Sequence, residues 1–155
     1  MEKIPYICGT LTEFPHGINP EKVKSFYSRL GDVFSPIIGA RAFVPHERFD
    51  PVQFPHFTDE QVFDAENEQI TKRTSLIVAV NEGPTWGGGA EISIAGEHKI
   101  PVVFLNPKHR KIARFITGLA KRKGIFQGVI EYNSFDEAIV FLNKWANKFF
   151  IVKKQ

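Results

Sequence analysis

The run Ser75-Leu76-Ile77-Val78-Ala79-Val80 leaves this chain few folds to choose from. It is short, apolar on both faces, and closed by Asn81-Glu82-Gly83-Pro84. A strand of that kind needs cover on both sides, as the central strand of a parallel sheet has. Shorter apolar runs stand at Ile4–Cys8, Arg41–Pro45, Pro101–Leu105 and residues 128–132. Helical patterns separate them. Asn19-Pro20 is an N-cap followed by proline, with Val23, Phe26, Tyr27 and Leu30 at helical spacing up to Gly31. Thr58-Asp59-Glu60-Gln61 is a capping box opening a helix to about Arg73, with Val62, Ala65, Gln69 and Ile70 roughly in line. Further helices are expected over 90–98, over 108–123, and from the Ser134 cap to about Phe149. Strands alternating with helices imply an α/β fold. The expectation is one domain spanning 1–155, a flavodoxin- or Rossmann-like sandwich. Its five-stranded parallel sheet has the order 2-1-3-4-5, with helices on both faces.

Composition narrows the function classes. With 155 residues, 43% hydrophobic and 24% charged, the chain is neither disordered nor fibrous. No apolar run approaches the roughly 20 residues of a membrane helix. The start Met1-Glu2-Lys3-Ile4-Pro5 lacks a signal-peptide core, so the expected location is cytoplasmic. One cysteine, Cys8, excludes an intrachain disulfide framework, and packing is its expected role. A net charge of +3 is too small an excess for a phosphate-tracking surface, so no nucleic-acid polymer is expected as partner. No His/Asp/Glu spacing matches a metal site, and no cofactor motif is present.

Ligands of such folds bind outside the carboxyl ends of the strands. Four loops meet there: Gly9–His16, Pro45–His56, Asn81–Gly89 and Asn106–His109. Gly87-Gly88-Gly89 reads as a turn before a helix whose N–H groups favour anions, or simply as a tight turn. It is neither a Walker loop nor Gly-x-Gly-x-x-Gly. Glu91 then falls in the first helical turn. The dipole favours any carboxylate there, and it would keep a nucleophile ionised. His46 and His56 flank a Pro/Phe-rich loop, as solvated histidines or as lining of a base pocket. Trp86 either stacks on a base or packs against a subunit, the second being preferred.

Four segments together are familiar. Tyr6-Ile7-Cys8-Gly9-Thr10, Thr74–Val80, Pro84-Thr85-Trp86-Gly87-Gly88-Gly89-Ala90-Glu91-Ile92 with Ala95, and Lys99-Ile100-Pro101-Val102-Val103 resemble the nucleoside 2-deoxyribosyltransferase family. The likeness is greatest to its 2′-deoxynucleoside 5′-monophosphate N-glycosidase branch. The resemblance implies cleavage or exchange of an N-glycosidic bond, with hydrolysis favoured over transfer. The substrate would be a nucleoside or nucleotide, and the chain would form a homodimer or higher homo-oligomer. By the same resemblance Glu91 is the nucleophile, Gly9 and Thr10 approach the sugar phosphate, and Tyr6 lies near base and sugar. By the same resemblance Thr85, in the turn with Pro84, Gly87 and Gly89, contacts the phosphate bound by a neighbouring subunit.

Two positions depart from the family pattern. The acid expected on the helix before the central strand falls at Asn67. An amide cannot donate a proton at neutral pH. Asp64 shares its helix face and is the preferred substitute, whereas Glu66 and Glu68 point roughly 100° to either side. Thr12 stands where the hydrolase branch carries a phosphate-binding arginine; His16, Arg48 or the Lys108-His109-Arg110-Lys111 run are the replacements on offer. A nucleotide-binding protein that kept the fold and lost the acid is the rival from another class. A flavodoxin-like response module is the third, and it lacks a phosphoacceptor because Asn81 follows the central strand.

Overall fold

The computed structural model describes residues 2–152. The elements, in chain order, are β1 (Ile4–Cys8), α1 (Pro20–Asp32), α2 (Ser35–Ile38), α3 (His46–Phe49), α4 (Asp59–Arg73), β2 (Thr74–Val80), α5 (Trp86–Glu97), β3 (Val102–Pro107), α6 (Arg114–Arg122), β4 (Phe126–Tyr132) and α7 (Phe135–Val152). The strands pair in parallel in the order β1-β2-β3-β4. One row across the sheet reads Cys8, Ala79, Phe104, Val129.

Side-chain alternation on the strands divides the core in two. Ile7, Leu76, Val78, Val103 and Leu105 face α1 and α7, where Phe26, Leu30, Leu142 and Ala146 meet them. Tyr6, Cys8, Ile77, Ala79, Val102 and Phe104 face α4, α5 and α6 through Ile70, Ile92, Ala95 and Ala120. Both faces are covered, which is why β2 reads as a continuous apolar run.

The expected five-stranded sheet of order 2-1-3-4-5 is corrected to four strands. The segment Arg41–Pro45 contributes an isolated parallel bridge, Phe43 beside Tyr6 on the free edge of β1. Ile7 N–H donates to Phe43 O at 2.9 Å, and Phe43 N–H to Pro5 O at 2.8 Å. The ladder stops there because Ala42 N–H is already given to Gly31 O of α1, and Pro45 starts the turn of α3. Residues 46–49, expected as loop, form a one-turn helix, and so do residues 35–38. The basic helix expected over 108–123 begins only at Arg114.

The glycine turn needs a correction that matters for the site. Thr85 is the N-cap of α5, its hydroxyl accepting from Gly88 N–H at 3.0 Å. The three glycines are therefore the first turn of the helix rather than a loop before it. A Cβ on Gly88 would come within 2.6 Å of Thr85 Cγ2 and 3.2 Å of Cys8 Sγ. The glycine lets α5 lie directly on the end of β1.

Candidate active site

Tyr6 and Cys8 lie on the same face of β1 and point at α5. Tyr6 is fully buried, stacked on Phe43 with ring centroids 5.4 Å apart, and its hydroxyl donates to Glu91 Oε1 at 2.7 Å. The Cys8 thiol lies between Gly88 O, at 3.9 Å, and the Glu91 carboxylate. Glu91 is in the second turn of α5, beyond the reach of the dipole, which fades within the first turn. Burial pushes its pKa up, while the Cys8 and Tyr6 hydrogen bonds pull it back. The carboxylate is thus held by the Tyr6 hydroxyl of β1, with the Cys8 thiol beside it, and not, as the sequence suggested, by a helix start.

Glu91 opens onto a cavity of about 480 Å³, within the usual size range of small-molecule sites. Gly9 and Pro84–Gly88 form one side, and Phe49 and Pro51 with Val62, Phe63, Glu66, Asn67 and Ile70 of α4 form the other. Gly9 must lack a side chain, since a Cβ would come within 2.6 Å of the Tyr27 ring. The C-terminal end of α3, which carries Phe49, is tied to α1 by a buried ion pair between Lys24 and Asp50, and Asp50 also accepts from Val52 N–H at 2.8 Å.

Sequence reasoning missed Glu66. It lines the cavity, and burial, aided by the Glu91 charge, pushes its pKa up to about 8. Two carboxyls therefore share one cavity, both raised by burial, but only Glu91 has side-chain donors that favour its charged form, and perturbed carboxyls placed together mark a candidate site for acid–base chemistry. A signal was present: Val62, Glu66 and Ile70 recur at spacing four, so Glu66 interrupts the apolar stripe of α4.

The other named residues divide. Asn67, Pro84, Thr85 and Gly87 line the cavity, and Asp64 is exposed and outside it. Thr10 is buried, its hydroxyl donating to Glu13 O at 2.5 Å. His46 does not line the cavity. It is buried beside Tyr27, 3.2 Å from Ser28 Oγ, and burial lowers its pKa. Gly89 lines a second, apolar groove of about 640 Å³ between α5 and α6. Trp86, 97% exposed, stands on the rim shared by both. Among the described residues no three His, Cys, Asp or Glu side chains gather as a metal site, and no helix is long and apolar enough to cross a membrane.

No family model matches the chain, and no curated protein matches it. Solved structures do. A conserved protein from Enterococcus faecalis V583 superposes with a TM-score of 0.64 at 18% identity, over 94% of this chain and 99% of that one. The Clostridium botulinum CMP N-glycosidase BcmB superposes with a TM-score of 0.61 at 17% identity, over 92% of this chain and 99% of its own. At such identity the likeness is one of fold. The second neighbour is an N-glycosidase, the activity class to which the sequence resemblance points.

Proposed function

We propose that this protein cleaves the N-glycosidic bond of a nucleoside or its 5′-monophosphate, with Glu91 as nucleophile and Glu66 as proton donor. The observation that carries this reading is the pair itself. Glu91 is fixed by the Tyr6 hydroxyl at 2.7 Å, and Glu66 in the same cavity keeps its proton up to about pH 8.

In the first step a Glu91 oxygen attacks C1′ of the sugar. The C1′–N bond breaks, its electron pair passes to the base, and the departing base takes the Glu66 proton. A glycosyl ester on Glu91 results. In the second step the Glu66 carboxylate takes a proton from water, whose oxygen attacks C1′ and frees both sugar and Glu91. This is the two-carboxylate logic of retaining glycosidases. A second base in place of water gives transfer. Hydrolysis ranks first because the solved neighbour of named activity is a glycosidase.

The rival reading, a binding protein without its acid, started from Asn67. Glu66, one residue earlier and in the cavity, offers a proton donor in its place and so weighs against the rival. The homo-oligomer belongs to this proposal as well, with Trp86 and Phe115, exposed at 97% and 80%, on the face offered to the partner.

The test is incubation with a panel of nucleosides and 5′-monophosphates, with chromatography for free base and a second base added to expose transfer. Free base that depends on Glu91 supports the reading. No base from any compound refutes it.

A further inference from the structure

The cavity's charge is opposite in sign to that of the chain. The protein carries a net +3, yet the ionisable residues lining the cavity are all acids, Glu13, Asp59, Glu66 and Glu91, of which Glu66 holds its proton at neutral pH. Among the described residues, no lysine, arginine or histidine lines it. None of the cations that the sequence offered in place of the arginine at Thr12 reaches it. His16 and Lys108–Lys111 lie outside the lining, and the Arg48 guanidinium lies over the Phe43 ring, 5.6 Å from its centroid.

Two of the neutral donors near the expected phosphate position are also engaged. The Thr10 hydroxyl is buried and bonded to Glu13 O, and the Gly88 N–H is capped by Thr85 Oγ1. What remains is an apolar enclosure of Leu11, Phe49, Val62, Phe63 and Ile94 with acids at its rim and floor.

We infer that the substrate is a nucleoside without a 5′-phosphate, and that Glu13, in the loop after β1, sets this preference. This rests on the glycosidase reading and narrows its substrate. A phosphate brings nearly two negative charges toward Glu13 and Asp59 with no cation to offset them. A free 5′-hydroxyl is instead a donor, and a carboxylate accepts from it. Rejection by an unpaired like charge is a common route to specificity.

The experiment compares kcat/KM for each nucleoside and its own 5′-monophosphate in wild type, Glu13→Arg and Thr12→Arg. Equilibrium binding of the same compounds is measured alongside. Wild type should prefer the nucleoside by at least about tenfold, and each arginine should narrow that ratio by about tenfold. Thr12→Arg adds a cation without removing Glu13, so it covers the case in which Glu13→Arg is poorly folded. Preference for monophosphates in wild type, or a ratio that neither arginine moves, overturns the inference while leaving the glycosidase reading intact. Nucleosides bound in preference but not cleaved uphold the selectivity assigned to Glu13, as selectivity of binding, and defeat the glycosidase. Failure to bind or cleave any compound defeats both.

Discussion

The Tyr6 hydroxyl and Glu91 Oε1, 2.7 Å apart, join the first strand to the second turn of α5. The Tyr6 ring is locked against Phe43 at an interplanar angle of 12°, so the donor is held in place before any ligand arrives. A nucleophilic carboxylate in a cavity faces a conflict. Burial that excludes water also favours its neutral form, and donors aimed at the oxygens restore the charged one.

Tyr6→Phe isolates that donor, since ring and stacking survive. A hydrogen bond to a charged group contributes about 1.5–3 kcal/mol and favours the ionised form. The Glu91 pKa should therefore rise, moving the acid limb of kcat/KM to higher pH. Base release at neutral pH should fall by about tenfold or more. A variant whose acid limb stays where it was would show that Tyr6 only packs.

Glu91→Gln removes nucleophilicity while keeping size and shape. Base release should drop by several orders of magnitude, with nearly unchanged binding of the same nucleoside. Turnover close to wild type would mean that another group attacks C1′.

Glu66 makes the pH dependence specific. As proton donor it works only while protonated, so kcat/KM should fall as pH rises through about 8. Glu66→Gln should abolish that limb and lower turnover by about 10²–10⁴-fold, least for bases that leave easily. Stability follows by linkage. The folded-state pKa is raised from the roughly 4.3 of an unfolded glutamate, so between there and about pH 8 the folded protein binds more protons than the unfolded one. Stability then decreases with pH across that window, by at most about 1.4 kcal/mol per pH unit from this group. Glu66→Gln should flatten the dependence, as denaturant titrations at several pH values would show.

How far the sequence could be read follows from what periodicity encodes. The run at 75–80 reveals a parallel sheet because burial on both faces leaves an unbroken apolar signature. The Arg41–Pro45 run has strand-like composition, but composition does not reveal that Ala42 N–H goes to α1 and leaves Phe43 a single bridge. The glycines at 87–89 read as a turn because glycine disfavours helix. Here close approach to Cys8 and Thr85 overrides that propensity. Glu91 stood out by its place near the glycines, and Glu66 did not, because counting from Glu91 without gaps lands one residue late, at Asn67. In a helix, one residue is roughly 100° of rotation, enough to separate a cavity wall from its neighbour.

The proposed placing of the acid at Glu66 rather than Asp64 can be tested directly. Asp64 is exposed and outside the cavity, so Asp64→Asn should leave turnover within about twofold of wild type, as surface changes usually do. Asn67 lines the cavity beside Glu66. Asn67→Asp would add a third carboxyl there, raise the Glu66 pKa further, and move the alkaline limb upward. If Asp64→Asn were as damaging as Glu66→Gln, the acid would belong to Asp64 and α4 would be rotated from the orientation described.

Gly88→Ala tests the contact that brings Glu91 to the end of β1. Gly88 has no left-handed backbone, so alanine is conformationally allowed, and helix propensity alone would favour it by about 1 kcal/mol. The added Cβ meets Thr85 Cγ2 at 2.6 Å and Cys8 Sγ at 3.2 Å, and neither yields freely, because Thr85 caps the helix and Cys8 belongs to the buried strand. Overpacking of this kind costs about 1–3 kcal/mol, so the net change should be destabilising. Gly118→Ala is the control: it lies within α6 with nothing inside 4 Å of its Cβ position, and should raise the melting temperature. The first variant should also lose turnover beyond its loss of folded protein, because α5 can relieve the clash only by moving off β1, which lengthens the Tyr6–Glu91 hydrogen bond. A Gly88→Ala protein as stable and as active as wild type would mean that α5 does not need this close approach to hold its nucleophile.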